Sequence, residues 1–348
     1  MRMNRREFLA AAGAVTASLA LPRFMRYVQS AVQLPPRFNI ISIMTDDQDS
    51  ASLPVMRHLM SYPHGSWINF TNHICSDGIC GPSRSSYLTG LYSRPHGVTS
   101  NEKVTHLDEA RTVAAWLKGS GDRTGLFGKY LFGSKKIPTP RGWDVFEGDG
   151  GRAGPLTAPA TAFIRDSAGP FFLCVNPVDP HMNARPQPPY INAPVWVPPD
   201  PPSFNEDVSD KASWVYNARS GKSKIKALRA ERVKAHRALL GVDDLVMRII
   251  DTLESTGKLD ETVICFLSDN GFLWGEHNLI RKHWHYEEVV RVPLLIRYPG
   301  LGGNRVEPRL VSNIDLAPTF AAIAGATPTR TIDGRSLLPI RQSPGPFR

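Results

Sequence analysis

The chain has 348 residues, 41% hydrophobic and 21% charged, enough to bury a large core as one big domain or one plus a small one. Its formal net charge is +9; residues 1–30 carry five arginines against Glu7, which leaves about +5 for the rest and suits an anionic substrate. Nucleic acid is the other partner a basic chain suggests, but there is no zinc-finger spacing, aromatic RNP-like motif or basic helix to support it, so no nucleic-acid partner is expected.

In chain order, Asn4-Arg5-Arg6-Glu7-Phe8-Leu9 is a twin-arginine pattern, and residues 10–21 are a small apolar run. About a dozen apolar residues are too few to anchor a chain across a bilayer, so residues 1–31 are expected to be a twin-arginine signal peptide, cleaved after Ala20 or near Ala31. Export by the twin-arginine machinery would make the chain secreted, periplasmic or cell-wall associated. Residues 37–44 (R-F-N-I-I-S-I-M) predict a first buried strand ending at Thr45-Asp46-Asp47. Residues 82–91 and 110–118 predict helices. Residues 148–154 are expected to be flexible, 171–175 to be a strand, and the prolines of 186–202 to make a surface loop, with a substrate-facing role as the functional alternative. Residues 222–255 favour a long helix, apolar at helical spacing from Leu239 to Leu253. A strand at 262–267 leads into Ser268-Asp269-Asn270-Gly271, a further strand covers 293–297, and a helix covers 314–324 after Asn313. No internal repeat is visible, and β-rich runs alternating with helical patterns predict an α/β fold with helices on a mainly parallel sheet. Of the four cysteines, Cys174 and Cys265 sit in apolar strand-like runs, so no disulfide framework is expected.

Ligands of open α/β sheets bind beyond the carboxyl ends of the strands, and Asp46-Asp47 and Asp269-Asn270 both fall at such ends. Three carboxylates and an amide brought together would repel unless a cation sat between them. A hard divalent ion with oxygen ligands answers this, Ca²⁺ first and Mg²⁺ second. Taken alone, each cluster is equally a strand-end cap or a turn. Arg84 lies four residues after Cys80, one helical turn, and can share its face. Lys129, His181 and Lys282 would each be an ordinary surface or structural residue in isolation.

The stretch Cys80-Gly81-Pro82-Ser83-Arg84 closely resembles the segment that formylglycine-generating enzymes recognise in type I, formylglycine-dependent sulfatases. Thr45-Asp46-Asp47-Gln48-Asp49, Gly128-Lys129-Tyr130, Asp179-Pro180-His181, Ser268-Asp269-Asn270-Gly271 with Gly275-Glu276-His277, and Lys282 four before Tyr286 follow in that family's order. The resemblance runs from about residue 38 to 338 and is nearest to the N-acetylglucosamine-6-sulfatase subgroup. It implies an alkaline-phosphatase/sulfatase-like fold, with a large mixed, mainly parallel sheet between helices. The catalytic domain would occupy residues 37–300, and 301–348 would be a short C-terminal part whose usual subdomain is truncated. It further implies that Cys80 is converted to formylglycine (3-oxoalanine), whose hydrate attacks sulfur. Asp46, Asp47, Asp269, Asn270 and residue 80 would ligate the cation, Arg84 would orient the modified residue, and Lys129, His181 and Lys282 would bind sulfate, His181 also protonating the leaving alcohol. The implied substrate is a sulfated carbohydrate of the glucosamine 6-sulfate kind. The family's histidine after G-K-W is Leu131 here, with His96 or His285 as candidate replacements. A phosphate mono- or diester hydrolase of the same superfamily and an inactive sulfated-glycan-binding protein are the competing readings.

Overall fold

The computed structural model describes residues 37–62, 67–132, 139–148, 150–300 and 304–341; the leader expected over 1–31 lies outside them. The first strand, β1 (Asn39–Thr45), is buried along its whole length, as a β-branched apolar run bounded by turn residues should be in a parallel sheet. It is followed by β2 (Trp67–Phe70), β3 (His73–Ile74), β4 (Arg123–Gly128), β5 (Val145–Glu147), β6 (Phe171–Asn176), β7 (Thr262–Ser268), β8 (Leu294–Arg297), β9 (Arg305–Glu307) and β10 (Val311–Ser312). The main sheet has eight strands in the order β5-β4-β6-β1-β7-β8-β2-β9, and β3 pairs with β10 in a small second sheet. Pairing is parallel from β5 through β7, whereas β8 runs antiparallel to both β7 and β2.

Alternate residues of β1 feed two separate cores, because successive side chains of a strand point to opposite faces. Ile40 and Met44 face a core shared with helices Val113–Gly119 and Leu316–Ala324; Ile41 and Ile43 face a core shared with Ala153–Asp166 and the long helix Lys222–Ser255. The long helix has the limits expected from the sequence. Leu239, Val242, Leu245, Val246, Ile249, Ile250 and Leu253 are fully buried along one stripe. Strand β9 belongs to the main sheet, and helix Leu316–Ala324 to the core it shares with Val113–Gly119 on the opposite face from the long helix.

Two expectations need correction. The helix expected over 110–118 breaks at Thr112, whose side chain caps Val113–Gly119 by accepting from Ala115 N at 3.4 Å. The stretch expected to be flexible over 148–154 ends in a helix: Ala153–Asp166 starts inside it. Its first amide, Ala153 N, donates to the Asp179 carboxylate at 2.9 Å, which also pairs with Arg152 at 2.5 Å. That cap comes from a residue 26 positions away, so the local composition did not show it. Strands β2 and β4 also escaped the sequence reading; β4 (R-T-G-L-F-G) begins with a charge and contains two glycines, which weakens its strand pattern.

Candidate active site

Four neighbouring strands, β4, β6, β1 and β7, deliver their carboxyl ends to one place. Asp46 and Asp47 follow β1, Asp269 and Asn270 follow β7, Lys129 follows β4, and His181 follows β6. The β1–β7 ladder continues past the strands through Asp269 N to the Thr45 carbonyl at 3.2 Å, which sets the two acidic pairs side by side. Asp47 takes a left-handed backbone (φ 67°), a conformation aspartate tolerates better than most residues, and this turns its amide to Asp269 Oδ1 at 3.2 Å.

The helix Cys80–Thr89 points its first turn at this cluster. Pro82 is tolerated there because the first turn's amides have no partner within the helix, and Gly90 closes the other end in the left-handed conformation (φ 70°). All ten residues are buried although the helix is largely polar, since neighbouring elements satisfy its groups. Ser83 Oγ donates to the Asp269 carbonyl at 2.5 Å, and Asn313 Nδ2 donates to Ser83 O and Oγ, each at 3.0 Å. The thiol of Cys80 thus lies 3.3 Å from Asp46 Oδ1 and 2.7 Å from Lys282 Nζ. Lys282 also reaches Asp47 Oδ1 at 2.5 Å, and Lys129 reaches Asp46 Oδ2 at 2.5 Å. Arg84 is fully buried: Nε holds Asp269 Oδ2 at 2.7 Å and one terminal nitrogen donates to the Lys129 carbonyl at 2.7 Å. Its other terminal nitrogen, Nη2, has no acceptor.

The electrostatics follow from burial and charge. Burial alone would raise the Asp46 carboxyl, but Lys129, Lys282 and Arg84 outweigh it and hold the group far below the ordinary carboxylate range. Burial pushes the Cys80 thiol well up, and Asp269 and Asp46 push it further, against the opposing pull of Lys129 and Lys282. A thiol held protonated in this way is a poor nucleophile. Burial would lower Lys129 and Lys282, yet the carboxylates keep both above the ordinary lysine value.

The residues present fit a divalent cation. Asp46, Asp47, Cys80 and Asp269 each offer a ligand atom, and these atoms lie within 4.8 Å of one another. Asp47 Oδ2 and Asn270 Oδ1 are buried oxygens that no hydrogen-bond donor satisfies, an arrangement costly in apolar surroundings unless a cation meets them. His181 Nε2 stands 3.5 Å from Asp47 Oδ2, while its Nδ1 faces the Met182 carbonyl at 3.1 Å. Asp46, Asp47, Cys80 and Asp269 are each at most 2% exposed and His181 is 43% exposed at its side chain, so the cluster opens to solvent on the histidine side.

All of the nominated residues, Asp46, Asp47, Cys80, Arg84, Lys129, His181, Lys282, Asp269 and Asn270, meet here. The two candidate replacements for the histidine missing at Leu131 do not join them. His96 is committed to Ser86 Oγ at 3.0 Å and to the Val98 amide at 3.1 Å, and His285 is exposed. Asn313, read from the sequence as a helix start and, in Asn313-Ile314-Asp315, as part of the resemblance, is a supporting residue: it accepts from Ser76 N at 2.9 Å and so braces both sides of the Cys80 turn.

A family model described as Sulfatase matches residues 39–326. The chain is 30% identical to human N-acetylglucosamine-6-sulfatase over 87% of its length and 64% of that protein's. It is 30% identical to the fruit-fly extracellular sulfatase SULF-1 homolog over 91% of its length, but spans only 32% of that protein. Among solved structures, a complex with its substrate D-glucosamine-2-N,6-O-disulfate superposes with a TM-score of 0.72 at 24% identity, over 90% of this chain and 81% of that one. The phosphonate monoester hydrolase of Agrobacterium radiobacter superposes with a TM-score of 0.74 at 21% identity, over 89% and 78%. With the family model covering the strands, the Cys80 helix and both acidic pairs, the chain belongs to the sulfatase family.

Proposed function

We propose that this chain is a sulfuric ester hydrolase that releases sulfate from sulfated aminosugars of the glucosamine 6-sulfate kind, with residue 80 as its nucleophile. The observation that carries the reading is the buried meeting of Cys80 with Asp46, Asp47, Lys129 and Lys282 at the ends of four adjacent strands. Conversion of Cys80 to formylglycine by a formylglycine-generating enzyme supplies a hydroxyl nucleophile with a second hydroxyl on the same carbon, through which sulfate is released. A divalent cation, calcium before magnesium, would be held by Asp46, Asp47, Asp269, Asn270 and residue 80, and supplies charge that favours the ionised nucleophile.

The chain's own residues do the rest. Arg84 fixes Asp269 and presents its unpartnered Nη2 inside the site. Lys129 and Lys282 flank residue 80 and are charged at neutral pH, so they bind the sulfuryl oxygens and offset charge developing on them. The positive end of the Cys80–Thr89 helix adds to this. His181 is partly exposed at the open side with Nε2 turned inward, the position from which a proton reaches a departing alcohol oxygen. The aminosugar assignment draws on the names of the human relative and of a Bacteroides thetaiotaomicron N-acetylglucosamine-6-O-sulfatase, 26% identical over 89% of this chain and 72% of that protein. Export through the twin-arginine leader accords with the fruit-fly relative's being named extracellular. Among the described residues no helix is long and apolar enough to cross a membrane.

Mass analysis of the peptide spanning residue 80, from protein made in its own host, tests the reading together with rates on the sulfate and phosphate esters of one alcohol. Formylglycine at position 80 and faster sulfate release are expected. An intact thiol with full sulfate release overturns the nucleophile, and faster phosphate release overturns the ester class.

A further inference from the structure

Lys282 is followed by His283, Trp284 and His285, so whatever binds against residue 80 next meets this segment. Trp284 lies two residues beyond Lys282, at most about 7 Å along the chain. The segment is tied close to residue 80, because the His283 amide donates to the Gly78 carbonyl at 3.2 Å, two residues before Cys80. Trp284 packs its inner side on a small apolar cluster of Val208, Val215, Leu273, Leu279 and Val289. Trp214 stacks on it, with ring centroids 5.6 Å apart and planes 13° from parallel. The short helix Ser213–Ala218 that carries Trp214 is pinned by the next residue, Val215, which is buried in that same cluster. Trp214 itself is 59% exposed. The structure therefore holds a pair of stacked indoles, the outer one more than half exposed, carried by the segment that follows Lys282 and is tied to Gly78.

We infer that the Trp214–Trp284 stack is the floor of a sugar subsite, on which a pyranose ring of the substrate lies while its sulfate is held at residue 80. The inference rests on the sulfated-aminosugar reading and deepens it, by naming the residues on which the sugar ring lies. A pyranose turns clusters of weakly positive C–H groups to its faces, and these pair with the negative face of an aromatic ring. Its hydroxyls point outward from the ring edge and need polar partners. His283, exposed and one residue before Trp284, offers a polar edge of that kind. A rigid aromatic carries little ordering cost on binding, so the stack acts as a preformed platform.

The test uses the full enzyme carrying its modified residue, with a disaccharide ending in glucosamine 6-sulfate and an aryl sulfate as paired substrates. Trp214→Ala is expected to lower kcat/KM for the disaccharide about tenfold more than for the aryl ester, chiefly through KM, with Trp214→Phe restoring most of it. Equal losses on both substrates, or none, overturn the platform. So does a changed oligomeric state in Trp214→Ala with an unchanged substrate preference, since the stack would then be an interface between copies. Calorimetric binding of the disaccharide keeps the two readings apart. If the wild type cleaves neither ester, the activity reading falls; weaker binding by Trp214→Ala but not Trp214→Phe then still supports the platform, and unaltered binding sinks it.

Discussion

Arg84 shows how much one buried side chain does at this site. Its guanidinium is the direct counter-charge of Asp269, whose side chain is fully buried, and it also ties the Cys80 helix to the end of β4 through the Lys129 carbonyl. Arg84→Met strands a buried carboxylate, so equilibrium urea unfolding of the metal-free protein is expected to show a loss of about 3–5 kcal/mol. The two lysines are different: each is about one-tenth exposed and pairs with one of the two aspartates beside Cys80. Lys129→Met and Lys282→Met are each expected to lower kcat about 10²–10³-fold in a steady-state assay, the effect of removing one preorganised charge from a reacting centre. A loss below tenfold in both would show that neither acts on the transition state.

At the scale of elements, strand β4 depends on its last residue. Gly128 sits at φ 102°, and a Cβ built there would stand 2.2 Å from the Asn176 carbonyl oxygen, which also accepts the Lys129 amide at 2.7 Å. Gly128→Ala must therefore push β4 and β6 apart where Lys129 leaves the sheet. A stability loss of about 1–3 kcal/mol is expected by thermal or urea unfolding, with a drop in kcat from the displaced lysine. Retained activity with reduced stability would mean that Lys129 re-seats itself despite the shift. The element reading from sequence succeeded where periodicity was strong, as in β1, β7 and the long helix. It failed where a distant residue supplies the deciding contact: Ala153–Asp166 is capped by Asp179, and the pairing of short β2 with β8 and β9 has no local signature.

The whole molecule carries an acid sensitivity set by two buried histidines. Burial lowers His73 to about 4, a bond to the Val292 carbonyl only partly opposing it, and burial likewise lowers His96 to about 4. Between pH 6.5 and 4 the unfolded chain protonates these rings while the folded protein does not, so their stabilising effect is present above pH 6.5 and is lost as pH falls toward 4. Glu109 acts in the opposite sense: burial raises it to about 7, so its contribution, present at low pH, is lost as pH rises through 7. The double variant His73→Asn, His96→Gln is expected to show a smaller fall in Tm between pH 6.5 and 4 than the parent, measured by scanning calorimetry. Parallel Tm profiles would remove both histidines from the account.

By itself the sequence determined the α/β class, the acidic turns after two apolar strands, and a helix around Pro82 with an arginine one turn after the cysteine, although that helix starts at Cys80 and ends at Thr89 where 82–91 was expected. All of these depend on neighbours within a few residues, where dihedral preference, capping and apolar spacing decide the outcome. Tertiary structure alone decided that Lys129 pairs with Asp46 and Arg84 with Asp269, that His96 belongs to the core, and that Trp214 stacks on Trp284. Those partners lie up to 185 residues apart, and strand order, which only packing of the whole chain fixes, determines which side chains share one buried site.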